Sequence, residues 1–233
     1  MEIMSNEERA ELLELYKNLR VADVRDGMDW HMMHYFGSVS PSIRPLFRTR
    51  AYGIAHTVRY LPFQGPIPWN DPKGYTEWTE YYYGNVCTYP WEKEVRDGDF
   101  MAIDLSGLCV GLMGSDNSLK NFANGVRGYV INGGVRDTDE VILQEMPVWS
   151  SSISQSMVQG RIQFESMDQP VNIGGVVVYP GDMIVADGDG VIVVPRKMAK
   201  DVAKQATFML AEDKVNRGKS YEKLGWQKDE TVV

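Results

Sequence analysis

Gly98-Asp-Phe-Met-Ala-Ile-Asp104-Leu-Ser-Gly107 and Gly181-Asp-Met-Ile-Val-Ala-Asp187-Gly-Asp-Gly190 share one pattern: Gly-Asp, four mostly apolar residues, Asp, two residues, Gly. Each copy reads as a turn feeding a short buried strand that ends in a second turn. Two related β-units in one mixed sheet core follow, so the fold class is mixed α/β or α+β. Asp99 and Asp182 fit turn chemistry better than catalysis, because Gly-Asp pairs commonly make turns. After the second copy, Val191-Ile-Val-Val-Pro195 gives another strand, and Arg196 to Arg217 reads as an amphipathic closing helix.

Upstream of the first copy, Ser5 precedes an acidic turn and apolar Leu12, Leu13, Leu15 and Tyr16, which predicts a helix over 6–18. A second short helix is expected from Asp23 towards His34. Ala51 to Tyr60 reads as a strand. Residues 61–91 are rich in Pro, Trp and Tyr and read as a loop-rich insertion. Its Trp69, Trp78, Tyr81, Tyr82, Tyr83 and Trp91 are expected to line a pocket or to pack against a neighbouring subunit, with the interface slightly favoured.

The 233 residues are 43% hydrophobic and 24% charged, a balance that excludes disorder as the main state and suits a single domain over 1–233. A formal charge of -8 argues against a nucleic-acid partner. Cys87 and Cys109 are the only cysteines and have no metal-binding spacing, so no disulfide framework is expected. His31, His34 and His56 show no His-x-x-x-His spacing, which disfavours a histidine-rich zinc site. Without a basic leader or an apolar run of about 20 residues, the expected location is cytoplasmic and off the membrane.

Chemistry concentrates between the two copies, from Gly111 to Glu140. Leu119, Phe122, Ala123 and Val126 fall at i, i+3, i+4 and i+7, predicting a helix with one apolar face, and Ser115, Asp116 or Asn117 can cap its start. The free N–H groups of such a start seat a carboxylate or phosphate, and Gly114 lets the ligand approach the backbone. Gly128 to Asn132 reads as a buried strand. The Gly133-Gly134 turn would then deliver Arg136 and Asp137 to the next helix. An adjacent Arg and Asp can divide two jobs, guanidinium donors for an oxyanion and a carboxylate for a hard cation. The same residues also fit a capping box, with Asp137 capping the helix and Glu140 reaching back.

The ordered string Ala123, Gly128, Val130-Ile-Asn-Gly133, Arg136-Asp137, Pro147-Val148, Gly174-Gly175, Pro180-Gly181-Asp182, Ala186-Asp187, Asp189-Gly190 and Val194-Pro195 resembles the RraA-like family. The likeness covers about residues 95–215, with the N-terminal helical part and the 61–91 insertion as elaborations. The resemblance implies an α/β/β sandwich assembled as a homotrimer or homohexamer with active sites between subunits. It also implies a class II pyruvate aldolase that cleaves 4-hydroxy-4-methyl-2-oxoglutarate or 4-carboxy-4-hydroxy-2-oxoadipate and decarboxylates oxaloacetate.

On that resemblance, Asp137 with Asp116 holds Mg²⁺ or Mn²⁺, Arg136 stabilises a pyruvate enolate, and the amides of Gly114, Ser115, Asp116, Asn117 and Ser118 hold the substrate carboxylate. Glu212 or Asp213 of a neighbouring subunit is the candidate acid. One departure stands out: Ser115 occupies a position where the metal-dependent aldolases often carry aspartate, and either Asp116 replaces it after a one-residue shift or the metal is arranged differently. Asn132 stands where many relatives have Asp. The same fold also includes an endoribonuclease inhibitor, which makes a non-enzymatic binding protein the alternative. A methyltransferase label attached to the family finds no glycine-rich nucleotide loop here.

Overall fold

The computed structural model describes residues 4–67 and 71–233, so Trp69 of the aromatic stretch and the first three residues lie outside the described residues. In chain order the elements are α1 (Asn6–Tyr16), α2 (Val21–Trp30), β1 (Arg44–Pro45), β2 (Ala51–Pro62), α3 (Pro72–Asn85), a 3₁₀ turn (Pro90–Lys93), β3 (Asp99–Asp104), β4 (Gly111–Met113) and α4 (Ser115–Ala123). There follow β5 (Gly128–Val135), α5 (Thr138–Leu143), β6 (Val148–Ile153), β7 (Ile162–Met167), β8 (Val171–Ile173), β9 (Val176–Val178), β10 (Met183–Asp187), β11 (Gly190–Val194), a 3₁₀ turn (Arg196–Met198) and α6 (Ala199–Leu224).

A mixed sheet of nine strands runs in the order β1-β6-β5-β3-β2-β10-β11, with β4 beside the end of β5 and β7 beside the end of β2. Strands β2, β3, β5 and β6 are mutually parallel, and β4 is parallel to β5. Buried on both faces, they read as near-continuous apolar runs such as Phe100–Ile103. Against one face pack α1, α2 and α6, which set Leu12, Tyr16, Val24, Met28 and Val202 on Ile54, Met183, Val185 and Val194. Gly27 permits that layer to close: a Cβ there would lie 2.7 Å from the Val202 carbonyl oxygen. Against the other face lies the small β8–β9 hairpin, whose Ile173 and Val178 join Phe100, Val130, Trp149 and Ile184. Helices, main sheet and hairpin form the expected α/β/β layering.

The repeated pattern is structural. Asp99 Oδ2 accepts the amide of Arg96 at 2.8 Å, and Asp182 Oδ2 that of Tyr179 at 2.9 Å, each three residues back. Asp104 Oδ1 accepts the amide of Ser106 at 2.9 Å, and Asp187 Oδ1 that of Asp189 at 2.8 Å, each two residues on. The two strands flank β2, one parallel and one antiparallel to it.

Three expectations are corrected. First, the 61–91 stretch carries a helix of 14 residues, α3, opened by Asp71, whose side chain accepts the Lys73 amide, and by Pro72 at the first helical position. Tyr82 on this helix is buried within the chain, its hydroxyl on the carbonyls of Val158 and Ile162, while Phe63 and Trp78 pack around its ring.

Second, Gly133 and Gly134 form no turn but lie inside β5. A Cβ would fall 2.5 Å from Leu105 Cβ at Gly133 and 2.8 Å from the Val110 nitrogen at Gly134, so the neighbouring 105–110 loop demands both glycines. Third, α4 buries Ser118 and Asn121, with the Tyr129 hydroxyl donating to the Ser118 carbonyl, whereas Leu119 and Phe122 are exposed in the single chain. The closing helix begins as a 3₁₀ turn at Arg196 and continues past Arg217 to Leu224, where Gly225 adopts φ 66°.

Candidate active site

Parallel pairing of β4 with β5 places their C-terminal ends side by side, each leading into a helix. In open α/β sheets such strand ends are where ligands bind. A cleft of about 410 Å³ opens there. One wall carries Gly111, Gly114, Asp116, Asn117 and Lys120 from β4 and α4, another Arg136 and Asp137, and a third Tyr83 and Tyr89 from the aromatic insertion with Glu92 just after it.

Asp137 is the pivot of this arrangement. It enters α5 in the left-handed conformation, φ 54° and ψ 41°, and its side chain makes no cap on its own helix. Glu140 is exposed and the expected capping box is absent. Instead, Asp137 Oδ2 accepts the amide of Ser115 at 3.2 Å, so it caps α4 from across the cleft, while Oδ1 lies 3.5 Å from Arg136 Nε. Of the expected caps Ser115, Asp116 and Asn117, none closes α4; the N-cap is Gly114.

The two glycines of β4 and α4 make room for the pair. A Cβ on Gly114 would stand 2.3 Å from Asp137 Oδ2, and one on Gly111 would stand 2.9 Å from Arg136 Cβ and Cδ. Gly114 is extended at φ -128°, so close approach and not backbone freedom requires it. The sequence reading reserved that space for a ligand, and the Asp137 carboxylate fills part of it.

The expected binding residues divide. Asp116 and Asn117 line the cleft, and an α-helix leaves their first-turn amides without intrahelical partners. The Ser115 amide is spent on Asp137, and the Ser118 side chain is buried away from the cleft, its amide on the Gly114 carbonyl at 3.1 Å. Glu212 and Asp213 sit exposed on α6, do not line the cleft of their own chain, and Asp213 pairs with Arg217 at 3.2 Å. Asn132 ties β5 to β3 through Asp104 Oδ1 at 3.0 Å.

Sequence reasoning missed Tyr89, Glu92 and Lys120. Lys120 Nζ reaches Glu92 Oε2 at 2.6 Å and so latches α4 to the insertion; this hydrogen bond holds the ammonium above its ordinary pKa. Burial, then the nearby Cys87, raises the hydroxyls of Tyr83 and Tyr89, which stay protonated as donors at neutral pH. The Asp71-Pro72 start signal is what could have placed a helix in the insertion and brought its end to the cleft.

The cleft offers carboxylates from Asp137, Asp116 and Glu92, with no His or Cys in its lining. Among the described residues no group of three or more His, Cys, Asp or Glu converges on a point. Magnesium needs only one or two carboxylates and keeps its waters, and the Asp137 side chain is 35% exposed, so a hard cation fits this all-oxygen set.

The RraA-like family model, described as Aldolase/RraA, matches residues 21–193. A Thermus thermophilus protein named 4-hydroxy-4-methyl-2-oxoglutarate aldolase is 31% identical over 108 residues, 44% of this chain and 63% of its own. A Halalkalibacterium halodurans protein, provisionally named for the same activity, is 31% identical over 123 residues, 52% of this chain and 57% of its own. The chain thus spans less than two thirds of the length of these relatives. A solved, uncharacterized protein from Pseudomonas syringae pv. tomato shares 25% identity and a TM-score of 0.71, covering 96% of this chain and 98% of that one. The RraAS2 structure of Streptomyces coelicolor, an unusual member of the RNase ES inhibitor RraA family, has a TM-score of 0.71 at 22% identity over 93% of this chain and 98% of its own, a likeness of fold.

Proposed function

Because this chain belongs to the RraA-like family, we propose that it is a lyase breaking a carbon–carbon bond of a 2-oxo acid, by retro-aldol cleavage of a 4-hydroxy-2-oxo acid or decarboxylation of oxaloacetate, with pyruvate as product. The observation that carries this reading is the Arg136–Asp137 pair, held at the mouth of two parallel strands by the Ser115 amide and given room by Gly111 and Gly114.

In this reading the open amides of Asp116 and Asn117 seat the substrate carboxylate. The Arg136 guanidinium faces the oxygen on which negative charge develops as the bond breaks and the electron pair moves into the enolate. In the retro-aldol case a carboxylate takes the 4-hydroxyl proton as that carbon becomes a carbonyl, in the decarboxylation case carbon dioxide leaves, and protonation of the enolate carbon then yields pyruvate. Asp137, with Asp116, would hold Mg²⁺ or Mn²⁺ directly or through water; when bound, such an ion polarises the 2-oxo group. Tyr83 remains protonated and donates a hydrogen bond to the far end of the substrate. The remaining acid is assigned to Glu212 of a neighbouring copy in a homotrimer or homohexamer, and the setting is the cytoplasm.

The test is pyruvate release from oxaloacetate and from 4-hydroxy-4-methyl-2-oxoglutarate, followed with lactate dehydrogenase, for wild type and Arg136→Ala. Release that depends on Arg136 supports the lyase. A flat response across both substrates, or activity indifferent to Arg136, overturns it in favour of a non-enzymatic regulator of an endoribonuclease, which affinity capture of that enzyme would then reveal.

A further inference from the structure

A second cavity, also of about 410 Å³, opens between α1, β2, the segment before β3 and the 3₁₀ turn that precedes α6, and shares no lining residue with the cleft. Arg9 and His56, 5% and 6% exposed, both line it. Asp99 lies between them and is used up by its neighbours. Its Oδ1 accepts Arg9 Nη2 at 2.8 Å, and its Oδ2 accepts the Arg96 amide at 2.8 Å and faces His56 Nδ1 at 3.2 Å. Arg9 Nη1 and His56 Nε2 remain buried with no hydrogen-bond partner among the described residues.

A buried polar nitrogen without a partner carries its full desolvation cost, and native proteins rarely leave two together unless something else satisfies them. At the mouth, the exposed side chains of Lys93 and Arg96 make no ion pair among the described residues, and Arg196, held by Glu8 at 2.9 Å, also lines the cavity. The acids besides Asp99 are Glu94 and Asp168, whose Oδ1 stands 3.8 Å from His56 Nε2. A chain of net charge -8 therefore gathers four cationic side chains and one imidazole against three acids around one cavity.

We propose that this cavity is a second binding site, for a small multivalent oxyanion, received by Arg9 Nη1 and His56 Nε2 and drawn in by Lys93 and Arg96. With Nδ1 turned to Asp99 at 3.2 Å, Nε2 is the imidazole atom left to face the ligand, and it donates when the ring carries both protons. The Asp168 carboxylate opposes the ligand and must turn outward; it is 57% exposed and free to do so. This site stands apart from the reading of the Arg136–Asp137 cleft.

The test is titration of the intact protein with inorganic phosphate, and separately with malonate, while the His56 imidazole is followed by proton–nitrogen NMR. A saturable shift with a Kd of about 1 mM or tighter is expected for at least one anion, and the tighter of the two identifies the ligand class. The exposed double substitution Lys93→Ala/Arg96→Ala should weaken binding about tenfold and Asp168→Asn should tighten it about threefold, with Arg136→Ala leaving it unchanged. Absence of saturation by about 50 mM with both anions overturns the proposal, as does binding indifferent to the double substitution or abolished by Arg136→Ala.

Discussion

Asp137, at the head of α5, holds the first amide of α4 through its contact with Ser115 at 3.2 Å, so one carboxylate joins two helix starts across the cleft. Removing it has two separable effects. Asp137→Ala should lower activity about 10²- to 10³-fold and also cost about 1 kcal/mol of stability, the usual price of a lost cap. Arg136→Ala, and Arg136→Lys with its single point charge, should lower activity alone. Steady-state pyruvate release and urea midpoints on the same preparations separate the two; equal midpoints for all three variants would contradict the capping role.

Gly114→Ala tests the space behind that carboxylate. A Cβ 2.3 Å from Asp137 Oδ2 cannot be accommodated without moving it, so this substitution should lower kcat at least about tenfold while the protein stays folded. Circular dichroism that matches wild type, together with full activity, would show that Asp137 need not occupy its observed position.

Chelation tests the hard-cation reading. Dialysis against EDTA should abolish pyruvate release, and Mg²⁺ or Mn²⁺ should restore it, whereas Asp137→Asn should respond to neither. Undiminished activity after exhaustive chelation would remove the cation from the scheme.

The buried Arg9–Asp99 pair predicts a pH signature of stability. Burial pushes the Asp99 carboxyl up, but the His56 ring, the Arg96 amide and the Arg9 guanidinium together hold it below its ordinary value. A carboxyl depressed in the folded state contributes stability that is present above its unfolded pKa of about 3.9 and is lost as pH falls through the lower folded value. Asp99→Asn should therefore cost about 3–5 kcal/mol at pH 7, because Arg9 is left buried and unpaired, with the gap narrowing below about pH 4. Urea unfolding at pH 7 and pH 3 measures it; a gap of constant size would contradict the assignment.

What the sequence makes legible is what local pattern decides. The Ser5 cap, the apolar Ala51–Tyr60 strand and the turns of the two Gly-Asp copies are signalled by residues close together in the chain, and the structure forms each of them there. Arg136 and Asp137 were legible as a pair, and they share one cleft wall. Their division of labour was not, because the amide that Asp137 serves belongs to Ser115 on another element. Gly133 and Gly134 read as a turn because glycine marks both turns and crowding, and only the approach of Leu105 and Val110 distinguishes them. The exposure of Leu119 and Phe122 was hidden for a related reason: periodicity reports an apolar face, while the tertiary contact made by Tyr129 decides which face turns inward.

The shared duty of Asp137 bears on how descent should be read in proteins of this shape. A lineage that gave up the chemistry would still be selected to keep an acceptor over the head of α4, since losing it loosens the fold. Persistence of that aspartate is thus weak testimony of activity. Arg136, which closes no helix, is under no such obligation, and its drift is the earlier mark of a scaffold that has turned to other work.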